Sequence, residues 1–474
     1  MLRKSKPEFI KFSAACNVGL LAAALLLVSA GSAGARVDAA KAFRISTDTL
    51  ATPGAQHASQ VEPDAAASGS TIVSAFQVGR FFDGGAGAIG FATSLNGGRT
   101  WRSGLLPALT TSTAPPGTAA RATDAAVAFD AVHRRWLVES LTLSQDSTAV
   151  VISGSTDGLA WEPPVTAISL ARPQRGAEDT NLDKSWITCD NGATSPFVGH
   201  CYIAYTDFGQ SGIASIGVQS TSDGGLTWSA PSFVRVSVSV PGVQPVVRPD
   251  GQLVLVFLDE PNSLFAVRSD DGGVTFSDRE QIAAVRAQQR RLRPELLRVF
   301  PLPSAGVDGG GSVYVAWSDC RFRSGCTAND IVVSHSTTTG WTTPRRVLVS
   351  GLGRTATHIL PGLAVDPTTR GTRARLAVTF YTLRSGGCAP ANCLLDVRMA
   401  TSASAGARWS AAPRLNARAM RFAWLPDTGS GHMVGDYFAT EFAGSRAVGI
   451  FAMALAPRNG RLNQAMHAAV RTFG

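Results

Sequence analysis

Charge is scarce in this chain. Only 16% of its 474 residues are Asp, Glu, Lys or Arg, while glycine reaches 48. That balance suits a turn-rich β protein better than a helical one. Metal-binding spacing is missing too: no Cys-x-x-Cys occurs, and the seven histidines are scattered, so nothing reads as a zinc site. There is no P-loop, no His-Glu-x-x-His and no Gly-x-Ser-x-Gly, which removes the sequence warrant for nucleotide-triphosphate, zincin and serine-elbow chemistry. Gly85-x-Gly87-x-x-Gly90 matches a dinucleotide fingerprint by letter only, because a strand rather than a helix should follow it. No Asn-x-Ser/Thr acceptor is present. After the first 35 residues no stretch is long and apolar enough to span a membrane.

Those first 35 residues read as a signal peptide. Arg3, Lys4, Lys6 and Lys11 form a basic head, Val18 to Val28 an apolar core, and Ala33-Gly34-Ala35 a small-residue cleavage site. An uncleaved anchor is the alternative. Removing the four basic residues and Glu8 takes the formal charge from +9 to 9 − (4 − 1) = +6. Part of that charge lies in Arg286, Arg290, Arg291, Arg293 and Arg298, which we read as a solvated surface helix near residues 278–292 rather than a nucleic-acid site. An exported chain meets an oxidising compartment. The six cysteines after Cys16 then fall into three close pairs, Cys189/Cys201, Cys320/Cys326 and Cys388/Cys393, expected as local disulfides.

What the chain has in abundance is one recurring turn. Ser269-Asp270-Asp271-Gly272-Gly273-Val274-Thr275-Phe276 and Thr221-Ser222-Asp223-Gly224-Gly225-Leu226-Thr227-Trp228 are its fullest copies. Ser94 to Trp101 carries Asn96 at the Asp position, and looser copies end at Trp161, Trp341 and Trp409. Asp or Asn accepts backbone N–H groups ahead of it, glycine supplies positive φ, and the aromatic folds back on the hairpin. The copies recur every fifty to seventy residues or so, room for four short strands each.

This is the Asp-box pattern, and the chain resembles the sialidase-like (BNR-repeat) β-propellers, its nearer relatives looking like secreted bacterial BNR proteins. The resemblance implies an all-β, six-bladed β-propeller of sialidase type with four-stranded antiparallel blades over residues 61–474, residues 36–60 being a linker or peripheral strand. It also places the boxes at the rim, away from the functional face. Strands over residues 433–442 and 447–453 should close the ring against the first blade, hiding exposed edges.

Residues just before the inner strands should converge on the axis. They are unusually polar: Glu62, Asp64, Asp124, Asp183, Lys184, Gln244, Arg293, Glu295, His358, Asp436 and Tyr437. Carboxylates sharing a basin can hold a sugar, bind a cation such as calcium, or divide acid and base roles. Capping strands and loop N–H groups is the plainer reading of the same residues. No cofactor is required by either.

The family's catalytic set carries over in fragments. Arg80 and Asp83 follow a strand where the family's acid/base segment lies, and Phe380-Tyr381-Thr382-Leu383 loosely matches the nucleophile segment. Phe43-Arg44-Ile45-Ser46 is similar to the family's Phe/Tyr-Arg-Ile-Pro motif with Ser46 for proline. Arg248, Arg354 and Arg384 are candidates to complete a carboxylate clamp. The segment from Gln244 resembles the one bearing the family's Glu, but has Gln there. A tyrosine without its carboxylate partner is a poor nucleophile. The expectation is therefore a secreted, periplasmic or envelope-associated propeller that binds a glycan or cell-envelope ligand without standard sialidase chemistry. An exo-sialidase-like glycoside hydrolase with a modified site is the alternative.

Overall fold

Each box turn folds as its residues dictate. Asp271 accepts the N–H groups of Val274 (3.2 Å) and Thr275 (2.9 Å), while Ser269 Oγ takes Gly273 N–H at 2.8 Å. Asp223 repeats the arrangement with Leu226 and Thr227, both at 3.0 Å. In every sheet that has one, the turn joins the third strand to the fourth, as between Ser263–Ser269 and Glu280–Ala284.

The computed structural model describes residues 41–171, 182–209, 214–237, 242–259, 262–287, 297–349, 351–384, 388 and 392–473. The signal-peptide reading falls outside them. Among the described residues there are seven antiparallel meanders, one more than the six expected, each of four strands except that the outer strand of sheet five is split into Gly340–Trp341 and Arg345–Arg346. Their innermost strands are Gln56–Ser68, Arg121–Asp130, Leu182–Cys189, Gln244–Val247, Ser304–Val307, Thr357–Val365 and Ala439–Ala443. Each packs against the next, and the seventh packs against the first. Sheets one and two also share a single ladder pair, Ala86↔Ala122.

Seven apolar clusters fill the seams between neighbouring sheets. Between sheets three and four lie Tyr202, Ile216, Leu253 and Phe257; between six and seven, Tyr381, Met399, Phe442 and Phe451. Side chains alternate faces along a strand, so a strand buried on both faces needs apolar residues throughout. Val254, Leu255, Val256 and Phe257 are such a run, all fully buried.

The extra sheet explains why boxes undercount blades. Its strands run Ala439–Ala443, Arg446–Ala454 and Gln464–Thr472, and its outermost strand is Phe43–Arg44 from the other end of the chain. Phe43 pairs with Ala468 and Arg44 with His467. A sheet whose third and fourth strands come from opposite ends has no turn between them, and so cannot carry a box. Six boxes therefore accompany seven sheets, and the closing strands form their own sheet instead of extending the first.

Thr71–Arg80, the strand that ends at Arg80, is the second of sheet one, because Gln56–Ser68 lies inside it. One other expectation changes. Of the helix expected near residues 278–292, the described part is instead the strand Glu280–Ala284, the outer strand that follows each box; residues 288–296 lie outside the description. The disulfides join Cys189–Cys201, Cys320–Cys326 and Cys388–Cys393. Among the described residues no helix is long and apolar enough to cross a membrane.

Candidate functional site

The inner strands are not smooth. Ladder register slips between Val61 and Asp64, Thr123 and Ala126, Asp183 and Trp186, and Ile359 and Gly362. At each slip one non-glycine residue takes positive φ: Glu62 (56°), Asp124 (50°), Lys184 (45°) and Leu360 (52°). A bulge of this kind re-aims a side chain, and the strained backbone costs on the order of 1–3 kcal/mol. The seventh sheet reaches the same place by glycine. Gly435 has φ 132°, and a Cβ there would sit 2.9 Å from the Glu62 backbone nitrogen, so only glycine fits before Asp436. Glu62, Asp124, Asp183 and Lys184 thus lie within the inner strands, at the slips, while Asp436 and Tyr437 sit just ahead of Ala439–Ala443.

These bulges, with Asp183 and Asp436, bring five of the expected residues into one axial basin of about 440 Å³: Glu62, Asp124, Asp183, Lys184 and Asp436. Arg80, Asp83 and Arg298 also line it, and Phe82 and Phe300 stand exposed at its lip. Glu62 accepts the side-chain amide of Gln77 and, at 3.2 Å, the N–H of Asp436. Burial, then the carboxylates of Asp436 and Asp124, push its pKa up to about 8. Burial and Asp183 raise Asp124 to about 7, and burial raises Asp183 too.

Cations meet this acidity. Arg298 Nε lies 3.0 Å from both oxygens of Asp436, and Nη2 adds a further bond to one of them. Burial opposes its charge, but Asp436, Glu62 and Asp183 outweigh that and raise its pKa. Arg80 Nη1 donates to Gln77 Oε1 at 3.0 Å, while its buried Nε has no partner among the described residues. Lys184 Nζ sits 3.8 Å from the Trp186 ring centroid and 4.3 Å from that of Tyr437, a double cation–π seat. Burial lowers its pKa against the pull of Asp124 and Glu62.

The remaining expected residues are placed as follows. Asp83 is held at the lip by Arg121 at 2.7 Å, which lowers its pKa. Asp64 accepts Val127 N–H at 2.8 Å, is raised by burial to about 7, and faces a second, smaller axial cavity of about 240 Å³ shared with Gln244. Gln244 Oε1 caps Ala305 N–H at 2.8 Å. His358 is buried in sheet six, 2.9 Å from the Thr382 hydroxyl, and lines neither cavity. Tyr437 is buried under Lys184, packed edge-on against Trp186, with its hydroxyl unpartnered. Arg293 and Glu295 lie outside the described residues.

Tyr381 requires correction as a catalytic candidate. It is 1% exposed on the second strand of sheet six, donates its hydroxyl to Ala452 O at 2.7 Å and packs against Phe438. Burial drives its pKa well above that of a free phenol, so it is a core residue. The other fragments disperse likewise. Arg44 lies on the outermost strand of sheet seven, Arg384 is paired with Asp396 at 2.6 Å, Arg354 is exposed on a loop, and Arg248 sits in a rim turn bonded to Gln252 at 2.9 Å.

Two contributors escaped the sequence reading. Arg298 looked like one of a surface cluster, yet it alone of the described arginines there enters the basin. Glu139, on the second strand of sheet two, is completely buried near Asp124 and Lys184, its pKa raised well above normal by burial. Ser185 approaches it without reaching hydrogen-bond distance. An acid inside an apolar strand run, Trp136 to Leu143, was the available signal. Among the described residues no three Asp, Glu, His or Cys side chains are grouped to hold a metal ion.

A ring of four-stranded antiparallel sheets around an axial basin is the β-propeller class. No family model matches the chain, and no curated protein matches it. Solved structures with similar folds include a Dyadobacter fermentans protein of unknown function (12% identity, 89% of this chain and 100% of that one, TM-score 0.43). Others are a Hadza microbial sialidase (13%, 88% and 66%, 0.45) and a Penicillium chrysogenum α-L-arabinanase complexed with arabinobiose (13%, 91% and 98%, 0.45). The chain thus spans 66% of that sialidase's length. Likenesses this distant carry no argument about chemistry.

Proposed function

We propose that this is an exported propeller whose axial basin binds a carbohydrate-sized polar ligand, a glycan or cell-envelope saccharide. The observation that carries the reading is the cluster of Glu62, Asp124 and Asp183 beside the Arg298-paired Asp436. A carboxyl that keeps its proton near neutral pH both donates and accepts, which is what a sugar hydroxyl requires. The Arg298–Asp436 pair fixes one further acceptor, and the Arg80 guanidinium adds positive charge to the wall. Phe82 and Phe300 supply apolar lips for the ring face. The reading needs no cofactor, and the described acids of the basin are not grouped as a structural cation such as calcium would require. The leader-like first 35 residues and disulfides that suit an oxidising compartment support the export part of the reading.

Sialidase-type nucleophilic catalysis is disfavoured. Tyr381 is core, and Tyr437, although near Glu62, is pushed the wrong way by burial and by surrounding carboxylates. One observation favours a second reading, hydrolysis by an acid–base pair. A protonated Glu62 and an ion-paired Asp436 are neighbours in different environments, as acid and base roles demand. A glycan array and a panel of fluorogenic glycosides, sialosides included, separate the two. Binding lost in Glu62→Gln and Asp436→Asn without turnover in the parent supports the binder. Turnover abolished by either substitution establishes the hydrolase instead, and binding that survives both overturns the basin assignment.

A further inference from the structure

One cavity larger than the basin is not axial. A groove of about 1550 Å³ runs along the box-bearing rim of sheets four, five and six. Its cause is legible in the turns. A regular box seals the seam to the preceding sheet with its glycines. A Cβ on Gly98 would meet Val448 and Val470 of sheet seven at 3.1–3.3 Å, and one on Gly225 would meet Leu137 of sheet two at 3.1 Å. Gly273 sits likewise against Tyr202 of sheet three at 3.5 Å. Sheet five's loose copy lacks the glycine pair: Thr337-Thr338-Thr339-Gly340 closes a tight hairpin, with Thr337 paired to Gly340. In sheet six, where Ser404 replaces the Asp, Gly406 meets only Leu376 and Trp409 of its own sheet within 4 Å. Two consecutive seams, filled deeper in by apolar side chains, are therefore left open at the rim.

The opened groove is chemically distinctive. Five arginines line it against two acids, Asp278 and Glu280. Arg268 is paired with Glu280 at 2.6 Å and Arg279 with Asp259 at 2.6 Å. Among the described residues the side chains of Arg345 and Arg408 have no ion pair or hydrogen bond, and both are exposed. The floor is aromatic: Tyr314 stacks on His335 at 5.0 Å, and Trp341 lies half-buried beside them. Hydroxyls of Ser336, Thr337, Thr338 and Thr339 form one wall.

We infer that this groove is a second binding site, separate from the axial basin, for a chain of carboxylated sugars. Its volume exceeds the roughly 300–1,000 Å³ of small-molecule pockets, which suits an extended oligomer. Guanidinium groups grip carboxylates bidentately, and the hydroxyl wall matches sugar hydroxyls. Nucleic acid is the poorer fit, because base stacking needs open aromatic faces and Tyr314 is buried.

The test is binding of the full mature chain to polygalacturonate by affinity electrophoresis and calorimetry, with dextran, polyglutamate and single-stranded DNA as comparison ligands. Polygalacturonate should be preferred over all three, with affinity falling as salt rises. Arg345→Ala/Arg408→Ala should weaken it about tenfold, from two exposed charge contacts. Glu62→Gln should leave it unchanged, which keeps this result independent of the basin reading. Equal affinity in the double-arginine variant, or polyglutamate or DNA matching polygalacturonate, overturns the inference. So does the absence of binding at low salt.

Discussion

The buried acids of the basin make stability fall as pH rises, in a window the structure defines. Glu62 has a folded pKa of about 8 against 4.5 unfolded, because burial and neighbouring carboxylates favour its neutral form. Between those values the folded chain holds a proton that the unfolded chain has released. Its stabilising contribution is complete below about 4.5 and is lost as pH climbs through about 8. One full proton of difference corresponds to a slope of about 1.4 kcal/mol per pH unit. Asp64 and Asp124, at about 7 in the folded chain, act in the same direction and lose their contribution earlier. His358 and His467 work oppositely: burial holds both at about 4 from 6.5, so they add stability as pH rises, up to about 6.5. The informative range therefore opens at pH 6.5. Urea unfolding with disulfides intact, at pH 6.5 and 7.5, should show the parent losing at least about 1.4 kcal/mol across that unit. Glu62→Gln, which mimics the neutral acid, should be shallower by about that amount. Stability that is flat or rising over this unit, or an unchanged slope in the variant, would refute the reasoning.

Two further outcomes follow from the same geometry. Arg298→Met strands Asp436, whose side chain is 9% exposed, and should cost about 3 kcal/mol. Adding Asp436→Asn should restore most of the loss in a thermal melt, and failure of that rescue would show the pair is not the reason. Tyr381→Phe leaves the Ala452 carbonyl unpaired and should cost about 1 kcal/mol with ligand binding unchanged. Binding lost in that variant at preserved stability would return Tyr381 to the site.

Strand-and-turn architecture was legible in the sequence because box residues act locally. Asp223 bonds to N–H groups three and four residues ahead, so its letters suffice. The sheet count was not legible, because Phe43 finds its partner in Ala468 and no local signal records that. The basin was half legible. Glu62, Asp124, Asp183, Lys184 and Asp436 stood out as polar residues at inner strands, but the bulges that aim Glu62, Asp124 and Lys184 inward depend on register with a neighbouring strand. Tyr381 misled for the opposite reason. A motif match says nothing of strand position, and at Tyr381 the second strand faces the seam between sheets six and seven, not the axis. Arg298 was hidden by its company, since a run of arginines looks the same whether or not one turns inward.

The pairing of Phe43 with Ala468 also sets an order of events in folding. Local turns can form sheets one to six as each segment becomes available, but the last seam has to wait for both ends to meet. Until Gln464–Thr472 is in place, the inner strand of sheet one and the outer face of sheet six lack their neighbours. A chain threaded through a membrane end first would hold those surfaces open throughout transit. The clasp is therefore a timing device as well as a fastening: the ring, and the basin that Asp436 completes, comes into being only when nearly all of the chain has arrived.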